Sequence, residues 1–293
     1  MGLYYSLFEF YNPLYLNDVN SGVPPTTNTY VTTHMMPQLL DLVNTYEPEV
    51  VWSDGDEGEN STYWQSTEFL AWLYNESPVK DTVVVNDRWG LDCDGKNGGF
   101  ITPSDRFNPG YLIKRKWENC YTIGTSWGYN QNEPLSEYQN ISSLVQTLVS
   151  TVSCGGNLLL NVGPTSDGVI PMIMQLRLME IGQWLDINGE AIYNTTFWRV
   201  QNDTLASDLW YTTNLESGAV YAMSYNWADG NGDLHLEAPI ASHETKITLF
   251  GYGGEIKFTP REFGAGLTLH LPFLAPGEYP PHGVYTFKMM NVK

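Results

Sequence analysis

Two periodicities divide the chain. Up to about residue 190, short apolar runs alternate with stretches whose apolar residues recur every three or four positions. The runs cover 3–10, 50–55, 82–86, 117–123 and 157–162 and predict five strands. Helices are predicted between them. One covers 34–46, with Leu39, Leu42, Val43 and Tyr46 on one face and Pro37 tolerable only in its first turn. A second covers 63–74, with Phe69, Leu70 and Leu73 on one face. A third covers 141–153 and is stopped by Gly155-Gly156. The last covers 172–187 and ends at Asn188-Gly189. The stretch 12–29, rich in Asn, Pro, Gly and Thr, reads as a loop.

From about residue 191 the helical period disappears. Alternating or β-branched runs at 208–213, 219–225, 233–237, 246–250, 255–259, 267–271 and 284–289 are separated by Gly, Asn and Pro. They predict an antiparallel sheet domain, a small sandwich, over 191–293. The first part, 1–190, has the strand–helix alternation of a parallel α/β fold. A closed barrel of that type has eight strands in about 250 residues, so five strands predict roughly three units missing ahead of Met1.

Candidate chemistry sits at the strand ends, where barrels of this class place their reactive groups. The run Val50-Val51-Trp52-Ser53-Asp54-Gly55 ends in a tryptophan, a carboxylate and a glycine that permits a sharp turn. Trp52 and Asp54, two residues apart, share a strand face. A carboxylate beside an aromatic face suits sugar cleavage; the plain alternative is an Asp capping the next helix. Arg88, in Asn86-Asp87-Arg88-Trp89-Gly90, is either a partner for such a carboxylate or a solvated strand-end charge. Asp105 and Glu118 supply further carboxylates. Retaining glycosidases need two, an ionised nucleophile favoured by a nearby cation and an acid that holds its proton. A setting such as that beside Trp117 suits the acid.

Charge narrows the partners. With 33 acidic and 14 basic residues the net charge is −19, which argues against nucleic acid or an anionic membrane. No apolar run reaches the roughly 18 residues of a membrane span. Cys93, Cys120 and Cys154 permit at most one internal disulfide. Asn60, Asn75, Asn140, Asn194 and Asn202 each open a glycosylation acceptor triplet, which leans towards the secretory path, yet no signal peptide is visible. Gly2 to Ser6 also matches a myristoylation pattern, although the same residues read as a core strand.

Together these residues bring a family into view. The chain resembles the animal α-L-fucosidases of glycoside hydrolase family 29. The likeness is carried by Gly2-Leu3-Tyr4-Tyr5-Ser6, Trp52-Ser53-Asp54-Gly55, Trp72-Leu73-Tyr74-Asn75-Glu76-Ser77-Pro78-Val79-Lys80-Asp81, Val84-Val85-Asn86-Asp87-Arg88-Trp89-Gly90, Lys116-Trp117-Glu118-Asn119-Cys120, Ser126-Trp127-Gly128-Tyr129, Gly155-Gly156-Asn157-Leu158-Leu159-Leu160-Asn161-Val162-Gly163-Pro164 and Asn188-Gly189-Glu190-Ala191-Ile192-Tyr193. The resemblance implies the later part of a (β/α)8-like TIM barrel followed by a β-sandwich. It implies a retaining exo-glycosidase that removes α-linked L-fucose from glycoproteins or glycolipids, with no cofactor and no metal. Asp54 is similar to the family nucleophile, and Tyr4, Trp52 and Arg88 match positions that line the fucose pocket. The acid/base is Asp105 or Glu118, with Asp105 favoured because a loop can carry it over the leaving oxygen. Trp117 and Cys120 are candidate site-lining residues; a core thiol is the plain reading of Cys120. Lysosomal or secreted location and a homo-oligomeric full-length form are also implied.

The family carries a His-His motif on the early barrel strands, and His34, His235, His243, His270 and His282 do not match it. An open five-stranded sheet would expose apolar edges that barrel closure covers. The expectation is that this chain alone folds poorly and is inactive. The alternative is a non-catalytic fucose-binding or structural derivative.

Overall fold

A computed structural model describes residues 1–203, 208–228, 232–261, 266–275 and 277–293. The chain forms two compact units. One comprises Met1–Ser104 with Arg115–Trp117, and the other Asp105–Lys114 with Glu118–Lys293.

The first unit holds a parallel sheet in the order β1 (Gly2–Ser6), β2 (Val50–Asp54), β3 (Val84–Val85). The central strand is the most apolar, and Val51, Trp52 and Ser53 are all buried. β1 stops at Ser6, short of the 3–10 run, because Ser6 pairs with Asp54 at the last position of β2. The stretch expected to be a loop contains helix α1 (Pro13–Val19), started by an Asn12 side-chain cap and Pro13. Both start signals were present, but the Asn, Gly and Pro that follow masked them. Asp18 at the end of α1 is buried and accepts from Thr27 Oγ1 (2.6 Å) and the Tyr30 N–H (2.7 Å). It ties α1 to a π-turn (Val31–Met35) that leads into α2 (Met36–Tyr46), with Pro37 in the first turn. The helix predicted over 63–74 is two, α3 (Ser61–Trp64) and α4 (Ser66–Asn75), because Gln65 takes a left-handed φ of 52°. A core of Leu39, Val43, Trp64, Phe69, Leu73 and Trp89 joins these helices to the sheet.

The second unit contains β4 (Trp117–Thr122) from Glu118 onward, beside β5 (Gly156–Asn161), and helices α5 (Ile141–Ser153) and α6 (Met172–Asn188). Helix α5 has the predicted bounds. Asn140 caps its start by accepting from the Ser143 N–H (2.9 Å), and Gly155 beyond its end has φ 82°. Among the described residues, eight strands follow. β6 (Thr196–Asn202), β7 (Leu209–Thr213), β8 (Val220–Ser224), β9 (Asp233–Leu236), β10 (Ala241–Leu249), β11 (Lys257–Pro260), β12 (Leu267–His270) and β13 (Tyr285–Val292) build two antiparallel sheets, β10-β13-β8-β7-β6 and β11-β12-β9. Only β6 was not predicted, since its half-exposed TFWRVQN sequence lacks a clean alternation. Leu234, Leu236, Leu267 and Leu269 from one sheet meet Ala222, Ile247, Leu249 and Phe287 from the other in a shared core. The opposite face of the five-stranded sheet packs Ala219, Tyr221 and Met223 against Val145, Val149 and Trp184 of α5 and α6. Residue 190, the compositional boundary, therefore lies inside this unit.

A pH-dependent link lies at that boundary. Burial favours protonation of Glu190, but hydrogen bonds from Lys288 (2.6 Å) and the Tyr221 hydroxyl (2.8 Å) outweigh it and hold the carboxyl below its usual range. A lowered folded-state pKa stabilises the unit above the unfolded value and loses that contribution as pH falls through the folded one. Because Glu190 is half exposed, Glu190→Gln is expected to cost under about 1 kcal/mol at neutral pH. In urea melts run as a pH series, the gap between wild type and variant should close on the acid side of the usual carboxylate range. A gap that widens there would refute the assignment.

Candidate active site

The first unit assembles four of the residues singled out from the sequence. Register places Tyr4 opposite Trp52 and Ser6 opposite Asp54 on adjacent parallel strands. The Tyr4 and Trp52 rings stack with centroids 5.8 Å apart and planes 22° apart. The Tyr4 hydroxyl donates to Asp54 Oδ2 at 2.7 Å. Arg88 Nη1 donates to Asp54 Oδ1 at 3.0 Å, and its guanidinium lies 5.0 Å from the Trp52 ring centroid. Each carboxylate oxygen therefore has its own donor, and one donor is a cation.

 

Trp52 is 7% exposed, whereas Tyr4 is 59% exposed. Tyr4 thus presents an open ring edge while its hydroxyl faces the carboxylate. Desolvation of that hydroxyl, then its hydrogen bond to Asp54, keep it protonated well above the usual phenol range. The residue acts here as a donor.

The frame beneath this quartet was not legible as function in the sequence. Asn86 is fully buried and bridges strands. Its Oδ1 accepts from the Ser53 N–H (2.9 Å), and its Nδ2 donates to the Ser53 carbonyl (2.8 Å). The Ser53 hydroxyl reaches the Arg88 carbonyl. Arg88 Nε donates to the Thr102 carbonyl at 3.3 Å. Asp87, also buried, accepts from the N–H of Thr102 (2.7 Å) and of Gly95 (2.9 Å) and so anchors the long loop that follows. The only available signal was the polar run that ends the 82–86 strand, in which every member has a structural partner.

Two loops are stapled above the frame. The Leu91 N–H donates to the Glu59 carbonyl (3.0 Å), and Asp92 accepts from the Ser61 N–H (2.7 Å) and hydroxyl (2.8 Å). Gly90 has φ 148°, and a Cβ there would lie 2.4 Å from the Ser61 nitrogen, so only glycine allows this approach. Asp56, two residues beyond Asp54, accepts from the Gly90 N–H at 3.4 Å, and burial raises its carboxyl above the usual range. Loosening the staple should disturb Arg88. Asp92→Ala is expected to lower kcat/KM by about tenfold, an effect of about 1.4 kcal/mol, with little loss of thermal stability. Steady-state kinetics beside a thermal melt check this; unchanged kinetics would show that Arg88 is held without Asp92.

Asp105, Glu118 and Cys120 belong to the second unit. Asp105 is exposed on a turn, and Glu118 is half-buried on β4. The next residue, Arg106, takes φ 58° and its N–H donates to the Cys120 carbonyl at 2.7 Å, which ties the turn to β4. The two acid/base candidates thus lie on neighbouring segments. Cys120 and Trp117 are buried, and all three cysteines are free thiols. Burial pushes the Cys154 thiol up to about 12.

Of the acceptor triplets, Asn75, Asn140 and Asn194 are exposed, while Asn60 and Asn202 are half-buried. Asn60 caps α3 by accepting from the Tyr63 N–H, and Thr204 of the last triplet lies outside the described residues. Among the described residues, no three His, Cys, Asp or Glu side chains are grouped to hold a metal ion, and no helix is long and apolar enough to cross a membrane.

Comparison with known proteins places the chain in a family. Residues 1–190 match the alpha-L-fucosidase family and residues 201–290 match the alpha-L-fucosidase C-terminal domain. The chain belongs to the alpha-L-fucosidase family. It is 52% identical to an alpha-L-fucosidase of Dictyostelium discoideum, covering 100% of this chain and 64% of that protein. The chain thus spans less than two thirds of that relative's length. Among solved structures, it is similar to a Thermotoga maritima alpha-fucosidase in complex with a mechanism-based inhibitor, with a TM-score of 0.70 and 29% identity over 90% of this chain and 57% of the other. An alpha-L-fucosidase isoenzyme from Paenibacillus thiaminolyticus, 22% identical, shares the fold with a TM-score of 0.80 over 99% of this chain and 71% of the other. The fold class is α/β of the TIM-barrel type followed by an antiparallel β-sandwich.

Proposed function

We propose that the protein carrying this chain hydrolyses α-L-fucosides of glycoproteins or glycolipids with retention of configuration. The observation that carries this reading is the Asp54 carboxylate, held on one oxygen by Arg88 and on the other by Tyr4. Such a clamp aims a charged nucleophile and prevents its rotation. Asp54 attacks the anomeric carbon, forming a fucosyl ester as the glycosidic bond breaks. An acid, Asp105 in preference to Glu118, protonates the departing oxygen. The same residue then takes a proton from the water that hydrolyses the ester, which releases fucose and restores Asp54. Trp52 offers an apolar wall to the sugar, and Arg88 holds the nucleophile in place.

We assign 1–190 to the catalytic domain and 191–293 to the sandwich domain. A lysosomal or secreted location, glycans on the exposed Asn75, Asn140 and Asn194, and a homo-oligomeric full-length protein complete the proposal. Turnover of a fluorogenic α-L-fucoside, with the product anomer followed by NMR, tests it. α-L-fucose formed first is the expected result, and first-formed β-L-fucose would refute retention. Tight fucose binding without any turnover would favour the non-catalytic derivative.

A further inference from the structure

The chain leaves β1 at the level of the carboxylate. The Leu7 N–H donates to the Asp54 carbonyl at 2.8 Å, and the Ser6 hydroxyl donates to the Phe8 carbonyl at 2.7 Å. Phe8 lies against the turn after Asp54, since a Cβ on Gly55 would come within 2.7 Å of its ring. The Phe10 ring meets Phe8 edge-on with centroids 4.8 Å apart. Behind them Phe8 stacks on Tyr15 at 5.5 Å, and Tyr15 on the buried Trp64 at 6.0 Å. Phe10 is therefore the outer member of an aromatic row rooted in the core. It is nevertheless 73% exposed, and the adjoining Tyr11 is 90% exposed. Polar groups border the row: Glu9 Oε1 lies 2.6 Å from His34 Nε2, and Asn12 Nδ2 donates to Glu9 Oε2 at 2.9 Å.

Single exposed apolar side chains need no explanation, but two adjacent aromatics at the end of a row that reaches the turn after Asp54 do. An aromatic ring braced from behind, as Phe10 is by the edge-on contact with Phe8, loses little freedom when a ligand covers it. The C–H face of a pyranose is a suitable cover, with the bordering carboxylate, imidazole and amide available to its hydroxyls. The fucose ring itself is bonded to carbon at the nucleophile. What extends beyond it is the sugar that the fucose leaves.

We propose that Phe10 and Tyr11 form a stacking platform for the leaving-group pyranose of a fucosylated glycan. The proposal rests on the fucosidase reading above. The platform selects among glycans by the sugar to which fucose is attached and has no bearing on substrates that lack one.

The test compares kcat/KM for a fucosyl disaccharide with kcat/KM for fucosyl fluoride, whose leaving group is a single ion. The native protein carrying this chain, Phe10→Ala, Tyr11→Ala and Phe10→Trp are measured together, with thermal melts alongside. In each alanine variant the disaccharide-to-fluoride ratio should fall by about tenfold, and Phe10→Trp should keep it. A ratio unchanged in both alanine variants would overturn the platform, as would parallel losses on both substrates. If the native protein cleaves neither substrate, the fucosidase reading itself fails and the platform falls with it.

Discussion

Replacing Asp54 with asparagine is expected to lower turnover of an α-L-fucoside by about 10³-fold or more, with thermal stability nearly unchanged. The amide keeps an oxygen that can accept from Arg88 or Tyr4. It carries no negative charge with which to attack the anomeric carbon. The loss should therefore fall on kcat rather than on folding. A fucosyl inhibitor that traps the ester should label the native protein on the peptide containing Asp54 and leave the variant unlabelled. If the variant kept more than about a tenth of native turnover, Asp54 would not be the nucleophile. Tyr4 gives a smaller, separable effect, because its removal leaves the carboxylate in place with the Arg88 contact intact.

The largest stability effect is expected at Asp203, which follows β6. It is buried and accepts from the Tyr211 hydroxyl (2.6 Å), the Glu237 N–H (2.9 Å) and the Ala238 N–H (3.3 Å). One carboxylate thereby joins a strand of the five-stranded sheet to the end of β9 in the other sheet. Asp203→Ala leaves these donors without their charged acceptor, at a cost of about 3 kcal/mol. For a unit of this size that lowers Tm by roughly 10 °C. Tyr211→Phe removes a single hydrogen bond and should cost about 1 kcal/mol. If Asp203→Ala were no more costly than Tyr211→Phe, the carboxylate would not be what links the two sheets. The comparison needs only calorimetry.

Much of this architecture was legible because it depends on local pattern. Helix α5 is bounded by an Asn cap and a Gly stop, and both are written in the chain. Asp54 was legible because a continuous apolar run marks a buried strand, and the first polar residue after it marks the strand's end. Arg88 followed from the same logic. The partners of Asp54 were harder to read. That Tyr4 stacks on Trp52 depends on the register of β1 against β2, which is set by residues nearly fifty positions apart. The split at Gln65 depends on one left-handed residue of a type that rarely adopts that conformation. The Ser53–Asn86 bridge and the Ser61–Asp92 staple join segments about thirty residues apart, and nothing in either segment alone names the other. β6 was missed because it is an edge strand, mostly half-exposed and without an alternation of its own.

The clamped quartet lies wholly between Tyr4 and Arg88, ahead of every residue of the antiparallel sheets. Synthesis proceeds from the N-terminus, so a nascent chain exposes all four groups before the sandwich strands have been made. The arginine–carboxylate pair can then close on the ribosome. A rare-codon pause placed after Arg88 would favour that early closure, whereas one between Asp54 and Arg88 would leave the carboxylate waiting for its cation.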